Sequence, residues 1–285
     1  MKGLCECSDE VARALETRAP IVALETTVVT HGLPHPDGVQ TACVLEGIIR
    51  KAGATPATIG VIGKAIRIGL TRSELELLAT TPGVAKVNLS NLAAAVVSGQ
   101  PGSTTVAATM FAAHASGIRV FATGGIGGVH RDASESGDVS ADLTALARIP
   151  IVVVSAGAKA VLDLPRTVEM LETLGVPVFG LGTDEFPAFY RRSTGLPVDR
   201  RYDSVEGLAS AARLHLSLGL GSGVLVANPI PVEDEMPAEL YDRAISQALA
   251  DADASGVRGR ALTPLLLERM REVTGGASVL SLIHI

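Results

Sequence analysis

The strongest constraint on this chain is a regular alternation of two kinds of segment. Short apolar runs, rich in β-branched and small residues, recur at 21–24, 58–62, 84–89, 119–122, 151–154, 178–181 and 223–227. Stretches with helical periodicity lie at 37–52, 71–78, 103–116, 167–174, 204–218, 237–255 and 263–273. In the stretch at 37–52, Ala42, Leu45, Ile48, Ile49 and Ala52 fall on one face, and Gly53 stands where a helix would stop. Thr71 and Glu74 have the spacing of a capping box. The runs at 21–24, 151–154 and 178–181 are continuously apolar rather than alternating, as a strand needs when both its faces are covered. The pattern predicts an α/β fold: a mostly parallel central sheet covered by helices on both faces, as a single domain over residues 1–285. Residues 183–204 form the longest loop-like segment, suited to a lid or an oligomer contact.

Composition narrows the partners. The 285 residues are 47% hydrophobic, 19% charged and 3% aromatic, with a net charge of −6. No block of Lys and Arg stands out, and few rings are present on which bases could stack, which disfavours a nucleic-acid polymer. A small anionic ligand is compatible, because backbone N–H groups bind anions locally. The cysteines Cys5, Cys7 and Cys43 are odd in number, and Cys5 and Cys7 are too close for an ordinary bridge, which points to a reducing compartment. No second Cys/His pair follows Cys5 and Cys7 at zinc spacing. No run approaches the roughly 18 apolar residues of a membrane span, and the N-terminus lacks the apolar run of a secretory signal. The expected location is the cytoplasm, with no membrane partner.

Ligands of open α/β sheets bind beyond the carboxyl ends of the strands. Four groups of residues are therefore expected on one rim: Glu25 after the first strand, residues 124–130 after the strand at 119–122, Lys159 after the strand at 151–154, and Asn228 after the strand at 223–227. Glu25 sits between Ala23-Leu24 and Thr26-Thr27-Val28-Val29. A carboxylate in such a run is either paired with a cation or held neutral as a general acid. His31, in Thr30-His31-Gly32, lines the site or closes a turn. Lys159 ends Ser155-Ala156-Gly157-Ala158-Lys159 and is expected to begin a helix, whose N-terminus disfavours the cation and so favours an amine nucleophile. Its bland alternative is a solvated loop lysine.

Gly124-Gly125-Ile126-Gly127-Gly128 lacks the dinucleotide spacing but permits close backbone approach to a ligand, and His130 and Arg131 follow it. Asp138 and Asp142 flank Ser140. Hard oxygen ligands so placed suit Mg²⁺ or Mn²⁺, although Asp or Ser here would equally cap a helix. Ser103-Thr104-Thr105 is expected to open a helix, where hydroxyls and free N–H groups hold a phosphate or simply cap.

Together, Ala23-Leu24-Glu25-Thr26-Thr27, Thr30-His31-Gly32, Thr123-Gly124-Gly125-Ile126-Gly127-Gly128-Val129-His130-Arg131, Asp138-Val139-Ser140-Ala141-Asp142-Leu143, Ser155-Ala156-Gly157-Ala158-Lys159 and Ala227-Asn228-Pro229-Ile230-Pro231 resemble the pseudouridine-5′-phosphate glycosidase family, over about residues 20–276. The resemblance implies an enzyme grouped with glycosidases of the carbon–oxygen lyase class. It would reversibly cleave pseudouridine 5′-phosphate to uracil and ribose 5-phosphate in pseudouridine degradation, with one divalent metal, Mn²⁺, per subunit of a homotrimer. By the same resemblance Glu25 is the proton donor and Lys159 the covalent lysine. Lys86, Val106, Ser140, Ala141 and Asp142 are substrate-binding positions, His130 is a further position near the sugar, and Asp138 is the metal ligand. A carbon leaving group needs an electron sink at C1′, which a lysine imine (Schiff base) supplies. A class I aldolase-like lyase and a sugar-phosphate sensor are the alternatives; uracil release separates the first, and retention of both Glu25 and Lys159 argues against the second. The chain departs from the family pattern after about residue 278, where Ser281-Leu282-Ile283-His284-Ile285 has no counterpart, and a truncated tail is expected there.

Overall fold

The computed structural model describes residues 4–257 and 262–275. The expected departure after residue 278 lies outside them. Residue contacts gather into two compact units, neither a continuous stretch of chain. The first holds 4–123, 144–153 and 221–223; the second holds 124–143, 154–220 and 224 onwards.

The first unit begins with β1 (Cys5–Cys7), α1 (Asp9–Thr17) and β2 (Ile21–Leu24). A π-helical turn (Val28–Gly32) leads to α2 (Asp37–Lys51), β3 (Thr55–Ile62), β4 (Ala65–Ile68) and α3 (Arg72–Thr80). β5 (Ala85–Val87), α4 (Leu92–Ser98), β6 (Gly102–Thr104), α5 (Val106–Ala115) and β7 (Val120–Ala122) complete it. The strands lie in the order β1-β4-β3-β2-β7, with β6 on β3 and β5 on β6. β2 runs parallel to both β3 and β7, while β3 meets β4 and β6 antiparallel. Residues 56–61 of β3 are all buried, so this strand is covered on both faces, as its unbroken apolar run predicts. Val29, Val39, Ala42, Leu70, Leu75 and Leu78 pack where α2, α3 and the π-turn meet. The capping box forms: the Thr71 hydroxyl accepts from the Glu74 N–H, and the Glu74 carboxylate accepts from the Thr71 N–H at 2.8 Å.

The expected helix at 103–116 begins later, at Val106, because Gly102–Thr104 is a strand paired on both sides. Gly102 permits that pairing, since a Cβ there would stand 2.5 Å from the Val87 side chain. β1, β4, α1 and α4 have no counterpart in the sequence reading; β1, β4 and α4 run for only three to seven residues. β3 also starts three residues earlier than expected, with Pro56 near its start.

The second unit includes α6 (Ala133–Ser136), the first turn of α7 (Ala141–Arg148) and the end of β8 (Val152–Ser155). α8 (Leu164–Thr173), β9 (Val178–Leu181), β10 (Arg200–Tyr202), α9 (Val205–Ser217) and β11 (Val224–Ala227) follow. A 3₁₀ turn (Val232–Asp234) precedes α10 (Ala238–Ser255) and α11 (Leu262–Val273). β9 lies between β10 and β11, parallel to both. All four residues of β11 are buried. β10 lies inside the segment read as a loop; its residues are mostly exposed, so burial leaves no apolar pattern to read. α8 starts three residues earlier than its periodicity, with the Asp163 carboxylate accepting from the Arg166 N–H and Pro165 in the first turn, where a proline fits. α10 and α11 pack together, with Ala244, Ala248 and Ala252 buried one turn apart. The strands thus form a mostly parallel, mixed sheet flanked by helices. No described helix is long and apolar enough to cross a membrane.

Candidate active site

In the first unit the polar groups stand at the ends of paired strands. β2 and β7 run parallel with Leu24 opposite Ala122, so the next residues, Glu25 and Thr123, emerge side by side. The Thr123 hydroxyl donates to Oε1 of the half-buried Glu25. Thr26, fully buried, donates from Oγ1 to the Ile59 carbonyl at 2.7 Å and accepts from the Thr104 N–H at 2.9 Å. The Thr104 hydroxyl also donates to the Ile59 carbonyl, at 2.7 Å, and accepts from Thr109 at 2.9 Å. Thr27 donates to the Thr104 carbonyl at 2.7 Å. These bonds tie the segment after β2 to the strand that leads into Val106.

Val106 is the first residue of α5 and its side chain is buried in the core. Its side chain therefore faces no ligand; what the position has is a main-chain N–H in the first turn of a helix, where such groups have no intrahelical partner. Ser103 Oγ and Thr105 Oγ1 are buried with no hydrogen-bond partner among the described residues. Lys86, on β5, is opposite Ser103 and partly buried. His31 lies in the π-turn with Nδ1 2.5 Å from the Thr30 hydroxyl. Burial holds its pKa below the usual value, the nearby Lys86 charge lowers it further, and a hydrogen bond with the Val84 backbone acts in the opposite direction.

In the second unit the glycine run is fixed by contact. A Cβ on Gly125 would stand 2.5 Å from the Phe189 ring; on Gly127 it would overlap Ser140, and on Gly128 the Thr167 side chain. The space these glycines leave is thus filled by the protein's own side chains, where sequence alone suggested approach to a ligand. Asp142, buried, accepts the Gly127 N–H at 2.8 Å. The Ser140 hydroxyl accepts the Asp142 N–H at 3.2 Å, as a helix cap. Ala141 opens α7 and is partly buried.

Residues 128–130 run against 138–140, with the His130 N–H bonded to the Asp138 carbonyl at 3.1 Å and the Ser140 N–H to the Gly128 carbonyl at 3.0 Å. This pairing sets the Asp138 carboxylate 3.9 Å from Nε2 of the buried His130. The two aspartates four residues apart therefore have different surroundings: Asp142 grips the glycine run and Asp138 is the more accessible.

Lys159 does not begin a helix. It lies in a loop, four residues before the Asp163 cap of α8. The dipole argument from sequence does not apply to it, because the chain pairs with residue 126 and then makes a single turn, closed by the Leu162 N–H on the Lys159 carbonyl at 3.1 Å, before α8 begins. The Lys159 N–H bonds to the Ile126 carbonyl, and the Ile126 N–H to the Gly157 carbonyl, both at 3.0 Å. The Lys159 side chain is partly buried. Asn228 is anchored through its N–H to the Ser155 carbonyl at 2.9 Å. Sequence reasoning has Thr123 only as the first residue of the glycine motif, with no role; the register of β2 and β7 sets it beside Glu25.

Among the described residues no group of three or more His, Cys, Asp and Glu side chains could hold a metal ion. The donors near one another are the Asp138 carboxylate and the His130 imidazole. One hard oxygen with an imidazole nearby fits a Mn²⁺ or Mg²⁺ ion whose shell is mostly water.

Residues 10–285 match the profile of the family described as Indigoidine synthase A like protein. A pseudouridine-5′-phosphate glycosidase of Methylobacterium nodulans is 53% identical over 276 residues, covering 97% of this chain and 82% of that protein. One of Paracoccus denitrificans is 51% identical over 281 residues, covering 98% and 92%. Among solved structures, the prealnumycin C-glycosynthase in complex with ribulose 5-phosphate aligns with a TM-score of 0.90 at 39% identity, over 99% of this chain and 92% of that one. An indigoidine synthase A-like protein of Thermotoga maritima aligns with a TM-score of 0.89 at 34% identity, over 99% and 91%. The chain belongs to the indigoidine synthase A-like family, the family of the pseudouridine-5′-phosphate glycosidases.

Proposed function

We propose that this chain reversibly cleaves the C-glycosidic bond of pseudouridine 5′-phosphate, giving uracil and ribose 5-phosphate. The observation that carries the proposal is identity of about half, over almost the whole chain, to proteins named for that reaction. The residues the reaction needs are present. Glu25 protonates the ribose ring oxygen. The neutral amine of Lys159 forms a bond to C1′ as the C1′–O4′ bond breaks, and the ring opens. Loss of a proton from nitrogen frees its electron pair, which forms the C1′=N imine while the C1′–C5 bond breaks. The electrons of that bond pass to the uracil ring and its carbonyls, and C5 takes up a proton. Water then hydrolyses the imine, releasing ribose 5-phosphate and the lysine amine. An ordinary glycosidase protonates a leaving oxygen; here the amine provides the electron sink that a carbon leaving group needs.

Lys86 supplies a cation for the sugar phosphate, and the main chain at Val106 supplies donors. His130 and the segment Ser140, Ala141 and Asp142 complete the binding positions, with Asp142 fixing the glycine run beside them. Asp138 would hold the Mn²⁺ ion. When bound, the ion supplies positive charge for anionic oxygens of the substrate. A homotrimer, checked by sedimentation equilibrium, is part of the same reading.

The test is uracil release from pseudouridine 5′-phosphate, followed by ultraviolet absorbance. The expected result is release that depends on the chain and stops in Lys159→Ala. A folded chain that releases no uracil refutes the proposal. Chelation is expected to reduce the rate and Mn²⁺ to restore it; indifference to chelator removes the metal from the reaction. The likeness to a C-glycosynthase favours one second reading, C-glycosidic bond formation onto a different acceptor. That reading predicts adduct formation with ribose 5-phosphate but no turnover of pseudouridine 5′-phosphate.

A further inference from the structure

We infer that Thr123 is a positioning residue for the acid step, fixing which oxygen of Glu25 carries the transferable proton. The inference rests on the reading of Glu25 as the proton donor. The Thr123 hydroxyl donates to Oε1 of Glu25, and this is its only hydrogen bond among the described residues. A neutral carboxyl group has one carbonyl-type oxygen and one that bears the proton. An oxygen that accepts a hydroxyl hydrogen takes the carbonyl role, so the proton resides on Oε2. As the proton leaves, charge grows on the carboxylate and the Thr123 bond becomes charge-assisted, which strengthens it at that moment. The hydroxyl therefore helps both before transfer, by orientation, and during it, by differential stabilisation.

The geometry that delivers the hydroxyl is set by the sheet. Leu24 and Ala122 are register partners in parallel strands, so residues 25 and 123 leave neighbouring strands at the same end. Thr123 is 8% exposed, which leaves its hydroxyl little choice of partner. A β-branched side chain has a stiff χ1, so the hydroxyl is held in place more firmly than a serine would hold it. On the other side of Glu25, Thr26 and Thr27 are pinned to Ile59 and Thr104. The carboxylate is thus fixed through its own oxygen by Thr123 and through its backbone by the next two residues.

The test compares Thr123→Val, which keeps the shape and removes the hydroxyl, with Thr123→Ser, which keeps the hydroxyl, in uracil release from pseudouridine 5′-phosphate. Thr123→Val is expected to lower kcat by about 10- to 100-fold with KM within about twofold, and Thr123→Ser to restore most of the rate. In a Glu25→Asp background, whose carboxylate is one carbon shorter and so is expected to lose the threonine bond, Thr123→Val is expected to add less than about twofold. A Thr123→Val enzyme with the parent kcat, or one that raises KM alone, overturns the inference. So does a Thr123→Ser enzyme as impaired as Thr123→Val. If Thr123→Val does not fold, Thr123→Ala carries the comparison, against the same Thr123→Ser rescue. Glu25→Gln with the parent kcat refutes the acid reading itself; an inactive Glu25→Gln beside an unimpaired Thr123→Val refutes only the role of Thr123.

Discussion

The two units position polar groups by opposite means. In the first, hydroxyls do it: Thr26, Thr104 and Thr109 are fully buried and bond to one another or to the Ile59 carbonyl. In the second, missing side chains do it: the glycines at 125, 127 and 128 lie against Phe189, Ser140 and Thr167 with no room for a Cβ. The first arrangement is vulnerable to loss of a single polar atom, because the partner left behind is buried and unpaired. The second is vulnerable to the gain of a single carbon, because interiors are close-packed.

The largest expected effect is chemical. Lys159→Ala removes the proposed covalent amine from the loop that the glycine run anchors, and kcat is expected to fall by about 10⁴-fold or more with the fold intact. Borohydride with ribose 5-phosphate is expected to trap a sugar adduct on Lys159, read by peptide mass. An adduct on a different lysine would break the assignment. Next comes volume. Gly127→Val drives a side chain into Ser140 and Asp142, and is expected to cost about 3 kcal/mol of stability in denaturant unfolding. An unchanged midpoint would mean that the glycine run is not tightly packed.

Thr104→Val is the matching test in the first unit. It leaves the Thr109 hydroxyl without its acceptor, and about 2 kcal/mol is expected to be lost. Thr104→Val removes one polar atom and Gly127→Val adds carbon, so the pair of variants measures the contrast between the two units directly. Thr71→Ala, on the exposed capping box of α3, is expected to cost about 1 kcal/mol. A calorimetric change much larger than this would show that the cap does more than begin the helix.

The smallest effect is a pH dependence at His31. Its folded pKa lies below the unfolded value, chiefly through burial and then through Lys86. The unfolded chain therefore binds the proton more readily. The stability that neutral His31 contributes is fully present above the unfolded pKa of about 6.5 and is lost as pH falls through the folded pKa. Urea unfolding of the parent is expected to weaken on going from pH 7 to pH 5, with a smaller change in His31→Gln. Equal changes in both proteins would place the titrating group elsewhere.

Much of this architecture was legible before any coordinates. β2, β9 and α2 stand where periodicity placed them, because a buried strand and an amphipathic helix each leave a repeating signature in the residues they bury. The capping box at Thr71 is equally local, since both of its bonds join residues three apart. Elements that bury little or run only a few residues, such as β10 and β1, leave no such signature. Ser103 and Thr104 look like a helix start in the sequence because the strand partners of Ser103 lie about 40 and 17 residues away, at Gly60 and Lys86.

Residue types and order alone singled out Glu25 and the glycine run, because a costly charge and bare backbone are conspicuous in apolar surroundings, and Lys159 and Asp138 by their places after a strand and before a helix. What each of them touches was decided by tertiary structure. The register of β2 and β7 set Thr123 against Glu25, and the pairing of 128–130 with 138–140 separated the surroundings of Asp138 from those of Asp142. The same level of structure placed Lys159 in a loop bonded to Ile126 rather than at a helix start. Local sequence fixes which groups are available and what their burial costs. Partnerships between groups distant along the chain arise only when the strands choose their neighbours.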